Sequence, residues 1–311
     1  MSLSSSQIKN IVYQEGFQKV GITSSVQPSK SKLLDQWLKD GFHGNMNWML
    51  VNKKKRMDIE IFFPGAKSII CVAHNYYTSH MYDQSQKTGK ISRYARGEDY
   101  HKIIKKKLKI VLNKIKKIDP TINGRLCVDT APIMEKLWAE KAGVGWQGKH
   151  TNLITKDFGS WVFLGEIIID RELDYDSAAE DHCGKCQACI DACPTKAIIE
   201  PYKLDARKCI SYLTIEYWDK PIPEELKVKM NSWIFGCDIC QEVCPWNKNQ
   251  RESSEPCYYP KPGNINPDLD TLSEIDEPTF KQKYKKSPIT RTGWINFIRN
   301  IHAVKTVNKG Q

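Results

Sequence analysis

Apolar residues in the first half of the chain recur with two different periods. Helical spacing, with apolar positions three and four residues apart, predicts helices over Ser6–Glu15, Lys32–Lys39, Asp99–Lys117 and Ile133–Ala142. Short β-branched or uniformly apolar runs predict strands over Lys19–Thr23, Lys67–Ala73, Arg125–Asp129, Thr151–Thr155 and Ser160–Ile169. Residues 156–159 separate the last two runs and predict a hairpin. Helices that alternate with strands indicate an α/β or α+β fold, with an N-terminal mixed β-sheet covered by helices.

The pattern changes after Asp170, where cysteine, proline and short helical segments take over. A Pro- and Gly-rich stretch over Pro256–Pro267 predicts a loop that leads into a small helical tail. The chain is therefore expected to divide into an α/β domain over 1–170, a cysteine-rich domain over 171–260 and a basic tail over 261–311.

Composition places the chain among globular proteins of the cytoplasm. Hydrophobic residues make up 40% of its 311 residues and charged residues 27%, which excludes wholesale disorder. No apolar run reaches the ~18 residues of a membrane span, and the polar N-terminus lacks the apolar core of a signal peptide. In a reducing compartment, 11 cysteines indicate metal binding or catalysis before disulfides.

Two cysteine motifs carry the strongest chemical signal. The first is Cys183-x2-Cys186-x2-Cys189-x3-Cys193-Pro194, the bacterial ferredoxin run in which the fourth cysteine ligates the other cluster. The second is Cys237-x2-Cys240-x3-Cys244-Pro245, and Cys209 between the motifs completes the ligand count. Crossed ligation then predicts two ferredoxin-like [4Fe–4S] sites, one held by Cys183, Cys186, Cys189 and Cys244, and the other by Cys193, Cys209, Cys237 and Cys240.

Zinc is the alternative, because C-x2-C pairs also suit a tetrahedral ion. One zinc ion needs only four ligands and does not explain three cysteines at C-x2-C-x2-C followed by Cys-Pro. Cys71 and Cys127 lie on predicted apolar strands and are expected to be ordinary buried residues, and Cys257 is left without a ligand role.

The positive charge of the chain is uneven. Lys+Arg exceed Asp+Glu by 47 to 36, a net charge of +11. Eight lysines over Lys102–Lys117 follow a helical apolar pattern and predict a solvated helix face. Residues 278–311 hold eight Lys or Arg and no acid, with Tyr284, Trp294 and Phe297 interleaved. That mixture suits stacking and phosphate contacts on RNA, and the alternative is a helix whose aromatic rings pack on the core.

Asp129 is the candidate acid of the N-terminal domain. It follows a predicted apolar strand, and a carboxylate at such a strand end faces the crevice in which α/β proteins bind ligands. Partial burial there would raise its pKa and suit general acid catalysis. The alternative is that Asp129 caps the helix that begins near Ile133.

Several segments taken together resemble the epoxyqueuosine reductase family, whose members are cobalamin-dependent iron–sulfur enzymes of queuosine synthesis. They are Arg93–His101 (RYARGEDYH), Val128–Ile133 (VDTAPI), Gly145–Lys149 (GWQGK), Gly159–Ile167 (GSWVFLGEI), the two cysteine motifs and Cys209–Glu216 (CISYLTIE). The resemblance extends from about Ile8 to Ile301. It is to the shorter members, without the C-terminal helical-repeat extension that some carry.

The resemblance implies reduction of the epoxide of epoxyqueuosine to an alkene, with loss of water, at the wobble position of tRNA. It implies cobalamin as a cofactor beside the two [4Fe–4S] clusters, and Asp129 as the proton donor. Cofactor contacts are expected from Arg56, Tyr94, Arg96, Asp129, Lys149, Asn152, Ser160 and Ser211. The expected partners are a tRNA anticodon stem-loop, met in part by Ser287–Arg299, and an external low-potential electron donor, with the protein a cytoplasmic monomer.

Two other functions remain open from the sequence. One is a different cobalamin and iron–sulfur reductase, of the reductive-dehalogenase type. The other is a ferredoxin-like electron carrier without an active site, although such a carrier would not need the roughly 170 residues that precede the first cysteine motif.

Overall fold

A computed structural model describes residues 3–83, 85–248 and 250–309. The helices are α1 (Ser5–Gln14), α2 (Leu33–Lys39), α3 (Trp48–Val51), α4 (Lys53–Met57), α5 (Ile59–Phe62), α6 (Tyr100–Ile118), α7 (Glu135–Lys141), α8 (Ala188–Asp191), α9 (Ile210–Ile215), α10 (Glu224–Lys227), α11 (Ile239–Glu242), α12 (Leu269–Ser273), α13 (Glu277–Tyr284) and α14 (Gly293–Lys309). The strands are β1 (Lys19–Ser24), β2 (Ser68–Asn75), β3 (Lys90–Ile91), β4 (Gly124–Cys127), β5 (Trp146–Gln147), β6 (Leu153–Ile154), β7 (Val162–Ile169), β8 (Ile198–Glu200), β9 (Lys203–Leu204) and β10 (Trp233–Phe235). None of these helices is long and apolar enough to cross a membrane.

The described chain divides into two compact units. The first unit comprises residues 1–41, 47–75 and 100–186, and the second comprises 42–46, 76–99 and 187–311. These units differ from the sequential division into 1–170, 171–260 and 261–311, which stays a prediction about functional regions. The difference arises because segments 42–46 and 76–99 make their hydrogen bonds within the second unit, as when Asn45 N donates to the Tyr212 hydroxyl.

A four-stranded sheet in the order β1–β2–β7–β4 forms the centre of the first unit. The expected combination of a β-sheet with covering helices is confirmed. Every pairing in this sheet is antiparallel, which is typical of the α+β class, and the expected mixed strand directions are not found in it. The longest pairing joins β2 and β7 over eight residue pairs, from Ser68 with Ile169 to Asn75 with Val162. All eight residues of β2 are buried, which explains why the stretch 69–73 is a continuous apolar run and does not alternate.

Helices cover this sheet through their apolar stripes. Helix α6 buries Ile104, Leu108, Val111, Leu112 and Ile115, and most of its lysines are exposed, as the helical pattern predicted. Helix α7 contributes Trp138, Ala139 and the adjoining Ala142 to a core cluster that also contains Cys71 and Cys127. The two buried cysteines are therefore packing residues of the sheet, as expected.

The predicted hairpin after Thr151 forms differently. Strand β6 pairs with β5, in the register Trp146 with Ile154, rather than with β7. Only the single bridge between Thr155 and Gly159 closes the turn that leads to β7. Strand β7 instead pairs with β2 and with the edge strand β4, and six of its eight residues are buried.

Helix α14 organises the second unit. Asn300 is fully buried, and its side-chain amide donates to the carbonyl oxygens of Thr214 and Ile234, at 2.8 and 3.0 Å. These bonds join α14 to α9 and to β10, and β10 pairs in parallel with β3. The rings of Phe280, Tyr284 and Phe297 pack together with centroids 5.2 to 5.3 Å apart.

Gly21 of β1 provides a test of the packing between sheet and helix. A Cβ added there would lie 1.9 Å from the carbonyl oxygen of Ala142, just after α7. We expect Gly21→Ala to lower the free energy of unfolding by about 2–4 kcal/mol, because backbone must move to accept the methyl group. Chemical denaturation measures the change.

Gly65→Ala is the matched control in the same unit. Gly65 has a φ of +80° and open space around the added Cβ. The control should cost only about 1–2 kcal/mol, from the left-handed backbone. Equal losses in the two variants would contradict the close approach at Gly21.

Candidate active site and cysteine centres

Asp129 lies just beyond strand β4, on a backbone turn of unusual conformation. Its φ is +50°, a left-handed value that a non-glycine residue rarely adopts. The side chain is 53% exposed, so it can meet a ligand from solvent. Its backbone N–H donates to Oε1 of Glu135. A non-glycine residue in this conformation is strained, and the backbone hydrogen bond to Glu135 stabilises the turn.

Aromatic stacking orients the partner of Asp129. His101 Nε2 lies 3.0 Å from Oδ2 of Asp129. The His101 ring stacks on Tyr100, with centroids 4.1 Å apart, and Tyr100 stacks on Phe163 of β7 at 4.0 Å and an interplanar angle of 3°. The start of α6 therefore fixes an imidazole against the carboxylate. The helix predicted over Asp99–Lys117, which contains His101, is confirmed as α6, but the contact of His101 with Asp129 was not predicted.

The capping alternative for Asp129 is wrong. Helix α7 begins at Glu135, its N-cap is Met134, and no side chain caps it. Residues 130–133 form bends, and the helix begins at Glu135, two residues later than predicted. The Asp129 carboxyl therefore does not cap helix α7.

Two further carboxyl groups lie behind Asp129. Glu166 on β7 is fully buried, and Glu135 at the start of α7 is partly buried. Desolvation by burial raises the pKa of Glu135 to about 8, and the negative charge of Asp129 adds to the shift. Burial also raises the pKa of Glu166 well above its ordinary value, and the neighbouring Glu135 carboxyl raises it further. One acid inside the apolar run VFLGEIII was the signal in the sequence that could have found Glu166.

Arg56 joins the same group of charges. Its side chain is buried, with Nη1 donating to the Ile133 carbonyl at 3.0 Å and the guanidinium 5.2 Å from the Trp48 ring. Burial lowers its pKa, while the charges of Glu135 and Asp129 raise it. The Nε atom of Arg56 is buried and makes no hydrogen bond among the described residues. Arg56 and Asp129, both predicted, are therefore brought close together.

The loop around β5 and β6 holds three more predicted residues. Asn152 accepts a hydrogen bond from Lys136 Nζ at 3.2 Å, and its backbone N–H donates to His150 Nδ1 at 3.1 Å. Burial lowers the pKa of His150 to about 4, so the neutral ring carries its proton on Nε2, which has no partner in the described part of the chain. Ser160 is buried two residues before β7. His150 is a polar group that the sequence did not single out.

The side chain of Lys149 is hydrogen-bonded to the loop over residues 183–186, the cysteine loop. Its Nζ donates to the carbonyl oxygens of Gly184 and Cys186, at 2.7 and 2.8 Å, and the residue is 8% exposed. The pKa of Cys183 is raised by burial, and hydrogen bonds from the Lys149 backbone and the Trp146 side chain act in the opposite direction. Donors aimed at a sulfur are the environment of a metal-bound thiolate.

The other predicted cofactor contacts belong to the second unit. Arg96 is fully buried, and it donates to the carbonyls of Ile91 and His80 at 3.1 and 2.7 Å. Its guanidinium also lies 4.1 Å from the Tyr82 ring. Tyr94 packs at 6.1 Å from Phe235, and Ser211 lies in the first turn of α9. The Arg96 side chain therefore binds backbone carbonyls inside the second unit.

Four predicted ligands of one cluster lie within mutual electrostatic range in the second unit. Burial is the main cause that raises the pKa values of Cys209, Cys237 and Cys240. The charges of neighbouring thiolates add to each shift, with Cys193 acting on Cys209 and on Cys240. Thiolates that oppose one another's ionisation need a multivalent cation among them, so this set fits an iron–sulfur cluster.

The ligands predicted for the other cluster fall in both units. Cys183 and Cys186 end the first unit, while Cys189 and Cys244 belong to the second. Cys257 lies in a short 3₁₀ turn over Pro256–Tyr258. Within the described ranges, no three His, Cys, Asp or Glu side chains are grouped around a position for a single metal ion.

The aromatic residues of the tail do not form a stacking surface. Tyr284 and Phe297 are fully buried, and the Trp294 indole donates to the Ile275 carbonyl at 2.9 Å. The expectation of RNA stacking is wrong for Tyr284 and Phe297, because both rings lie in the core formed by α13 and α14. For the half-buried Trp294 it stays a prediction. Arg299 is also engaged, donating to the carbonyls of Leu213, Tyr217 and Lys220.

Two protein-family models match the chain. Residues 182–247 match the 4Fe-4S double cluster binding domain, which covers the predicted cysteine ligands. Residues 56–130 match the model described as epoxyqueuosine reductase QueG, DUF1730, which extends from Arg56 to just beyond Asp129.

Curated relatives match over almost the whole chain. The epoxyqueuosine reductase of Atelocyanobacterium thalassa is 44% identical over 92% of this chain and 93% of its own length. That of Escherichia coli K12 is 41% identical over 95% of this chain and 79% of its own length.

Solved structures agree with the fold. An epoxyqueuosine reductase in complex with an epoxyqueuosine-modified tRNA-Tyr stem loop has a TM-score of 0.89, at 29% identity. The Bacillus subtilis epoxyqueuosine reductase, captured with its catalytic aspartate loop swung out of the active site, has a TM-score of 0.87 at 28% identity. Each alignment covers 98% of this chain and 81% of the solved one.

Lys149 offers a test of the cysteine loop. Lys149→Met removes both donors to the Gly184 and Cys186 carbonyls, and we expect the free energy of unfolding to fall by about 1–3 kcal/mol. Chemical denaturation measures the loss. The control is Lys156→Met, at an exposed turn position in the same unit. The assignment is contradicted if the two variants are equally stable.

Proposed function

This chain belongs to the epoxyqueuosine reductase family, and we propose that it reduces epoxyqueuosine at the wobble position of tRNA to queuosine. The observation that carries the proposal is Asp129, a solvent-accessible acid held on a left-handed turn between His101 and Glu135. The protein is an oxidoreductase with a double [4Fe–4S] domain. Because the chain belongs to this family, we set aside the two other functions that the sequence left open, a reductive dehalogenase and a ferredoxin-like electron carrier.

The reaction requires both electrons and protons. Converting an epoxide to an alkene breaks two carbon–oxygen bonds and releases the oxygen as water, so two electrons and two protons enter. Iron–sulfur clusters deliver electrons one at a time. A positioned acid must supply a proton where the oxygen develops negative charge.

Asp129 supplies that proton in our proposal. Its carboxyl protonates the epoxide oxygen as a carbon–oxygen bond opens, which avoids a free alkoxide. His101 Nε2 at 3.0 Å holds the carboxyl in one orientation. The stacked Tyr100 and Phe163 rings restrict the imidazole in turn, so that the acid is oriented before substrate arrives.

We propose cobalamin as the third redox group. The donor set of the first unit fits its amide side chains, because Arg56 Nε and His150 Nε2 are buried donors with no partner among the described residues. Asn152 and Ser160 would add contacts from the β5–β7 region, and Tyr94 and Ser211 from the second unit. Lys149 would serve indirectly, since its Nζ is bound to backbone carbonyls. Arg96 bonds to carbonyls through Nε and Nη1, while its buried Nη2 has no partner in the described residues. When bound, cobalamin supplies a strongly reducing cobalt centre.

The cysteine ligands follow the crossed scheme. We assign Cys183, Cys186, Cys189 and Cys244 to one cluster, and Cys193, Cys209, Cys237 and Cys240 to the other. The mutual electrostatic shifts among the second set support its assignment. An external low-potential donor would reduce the clusters.

A tRNA anticodon stem-loop is the proposed macromolecular partner. One similar enzyme has been solved with an epoxyqueuosine-modified tRNA stem loop. The net charge of +11 favours phosphate contacts, and exposed lysines along α6 are candidates beside those of the tail. The buried aromatic rings of the tail are not part of this surface.

The decisive assay uses anaerobic protein loaded with cobalamin, a chemical reductant and an epoxyqueuosine-containing anticodon stem-loop. We expect queuosine to form, as measured by mass of the digested nucleosides. Asp129→Asn keeps the side-chain shape but removes the acid, and the rate should fall about 10²- to 10⁴-fold.

Asp157→Asn is the control, because Asp157 is an exposed acid whose partner is Lys19. Cluster content and cobalamin absorbance should be unchanged in both variants. Wild-type turnover by Asp129→Asn would remove Asp129 from the proton-donor role. Absence of turnover in the wild-type protein would contradict the proposed function itself.

Cluster ligation is tested separately by iron content. Cys209→Ser should reduce the iron bound per chain from about eight to about four, because one of the two clusters loses a thiolate. Cys257→Ser should retain all the iron. Equal iron in the two variants would show that Cys209 is not a ligand.

A further inference from the structure

The buried carboxyl of Glu166 needs a partner that the core does not otherwise provide. In the sheet register, Glu166 lies between Cys71 of β2 and Cys127 of β4, so thiols flank it on both sides. Glu166 is fully buried, and neither of its oxygens receives a hydrogen bond from an N–H or O–H of the described residues. An ionised carboxylate in such a place is costly, and the group keeps a proton instead.

The Glu135 carboxyl is the polar group that meets Glu166. A hydrogen bond with the Glu135 side chain is one cause that raises the pKa of Glu166, and Glu135 Oε1 also accepts the backbone N–H of Asp129. Two carboxyl groups in contact inside a protein cannot both ionise readily, and they commonly share one proton. With that proton between them, Glu135 can accept from Asp129 on one side and bond to Glu166 on the other.

We propose that Glu135 and Glu166 share a single proton, and that this pair is the device that positions the Asp129 turn for proton donation. The inference rests on the proposed function for its catalytic consequence, but the pair itself is a property of the folded chain. Glu135 acts as a positioning residue, because it touches the backbone of Asp129 and not its carboxyl. The left-handed φ of Asp129 needs such a bond, since the conformation costs about 1–2 kcal/mol by itself.

A turn in a strained backbone conformation can have a second position. In the B. subtilis relative, the catalytic aspartate loop has been seen swung out of the active site. In this chain the Asp129 N–H bond to Glu135 is the contact that opposes such a movement. Loss of the shared proton would place two negative charges in contact and push Glu135 away from Glu166. The Asp129 N–H stays bonded to the carboxylate, so this movement would shift the turn with it.

The surrounding charges determine the direction of the pH dependence. The carboxyl groups of Asp129 and Glu166 oppose ionisation of Glu135. The Asp129 backbone N–H, Lys136 and His101 favour it, and burial outweighs these three groups. Arg56 faces Glu135 and Asp129, and the thiols of Cys71 and Cys127 face both glutamates. Because the folded-state pKa of Glu135 is raised to about 8, the proton is present at neutral pH and is lost as pH rises through that value.

The first experiment is a pH profile of the complete enzyme with the tRNA stem-loop substrate. Wild-type turnover should fall by about tenfold per unit above about pH 8. Glu135→Gln cannot ionise, yet it can still accept from Asp129 and donate to Glu166. It should keep the neutral rate within about threefold and lose the decline with pH, a signature that a merely structural role would not produce. Glu135→Ala should be on the order of 10- to 100-fold slower.

Glu140→Gln is the matched control on the same helix. Glu140 accepts from Gln147 N and pairs with Lys30, and it makes no bond to the Asp129 turn. Its profile should follow the wild type. An unchanged pH profile in Glu135→Gln would overturn the proposal.

Two further measurements do not depend on turnover. Hydrogen exchange, corrected for intrinsic rates, should show the Asp129 amide protected in the wild type and unprotected in Glu135→Ala. Infrared spectra at neutral pH should show a protonated carboxylic acid that is absent when Glu135→Gln and Glu166→Gln are combined. Finding neither signal would refute the pair. Finding both in a protein without epoxide reduction would refute the proposed function and leave the pair standing.

Discussion

The pairing of β2 with β7 is the interaction on which the candidate site depends. Eight residue pairs align the two central strands and set Cys71 opposite Glu166. The same strand β7 aligns β4, whose last residue, Cys127, also pairs with Glu166. Because the side chains of a strand alternate between faces, a slip of one residue would move Glu166 to the other face of the sheet. Sheet register therefore decides which acid lies behind Asp129.

Proton chemistry is organised within the first unit. An exposed acid, a stacked imidazole and two buried carboxyls follow one another from the turn after β4 into the core. Exposure matches the role of each group. The proton donor, Asp129, must reach its substrate, whereas the carboxyl groups that position it need an environment without water. Desolvation makes the buried carboxyls weak acids, and weak acids can hold a proton at neutral pH.

Electron chemistry depends on the cysteine motifs and on what surrounds them. The spacing of thiols is local, but their chemical state is decided by burial and by one another's charge. Residues 146–152 contribute to both kinds of chemistry. Lys149 donates to the cysteine loop, and the Asn152 backbone N–H donates to His150 near the predicted cofactor contacts. Lys149 was expected to contact the cofactor, but its ammonium group donates to the backbone carbonyls of Gly184 and Cys186.

The sequence by itself determined the features that depend on spacing and local pattern. The eight candidate ligand cysteines, the strand β2, the helix α6 and the family were all accessible from it, because motif spacing and apolar periodicity are properties of neighbouring residues. Only the tertiary structure decided the antiparallel directions, the pairing of β6 with β5, the burial of Arg96, Tyr284 and Phe297, and the grouping of Asp129 with His101, Glu135 and Glu166. Residues 101, 129 and 166 lie far apart along the chain, and the electrostatic coupling among these residues and Glu135 depends on distances and burial that no local pattern specifies.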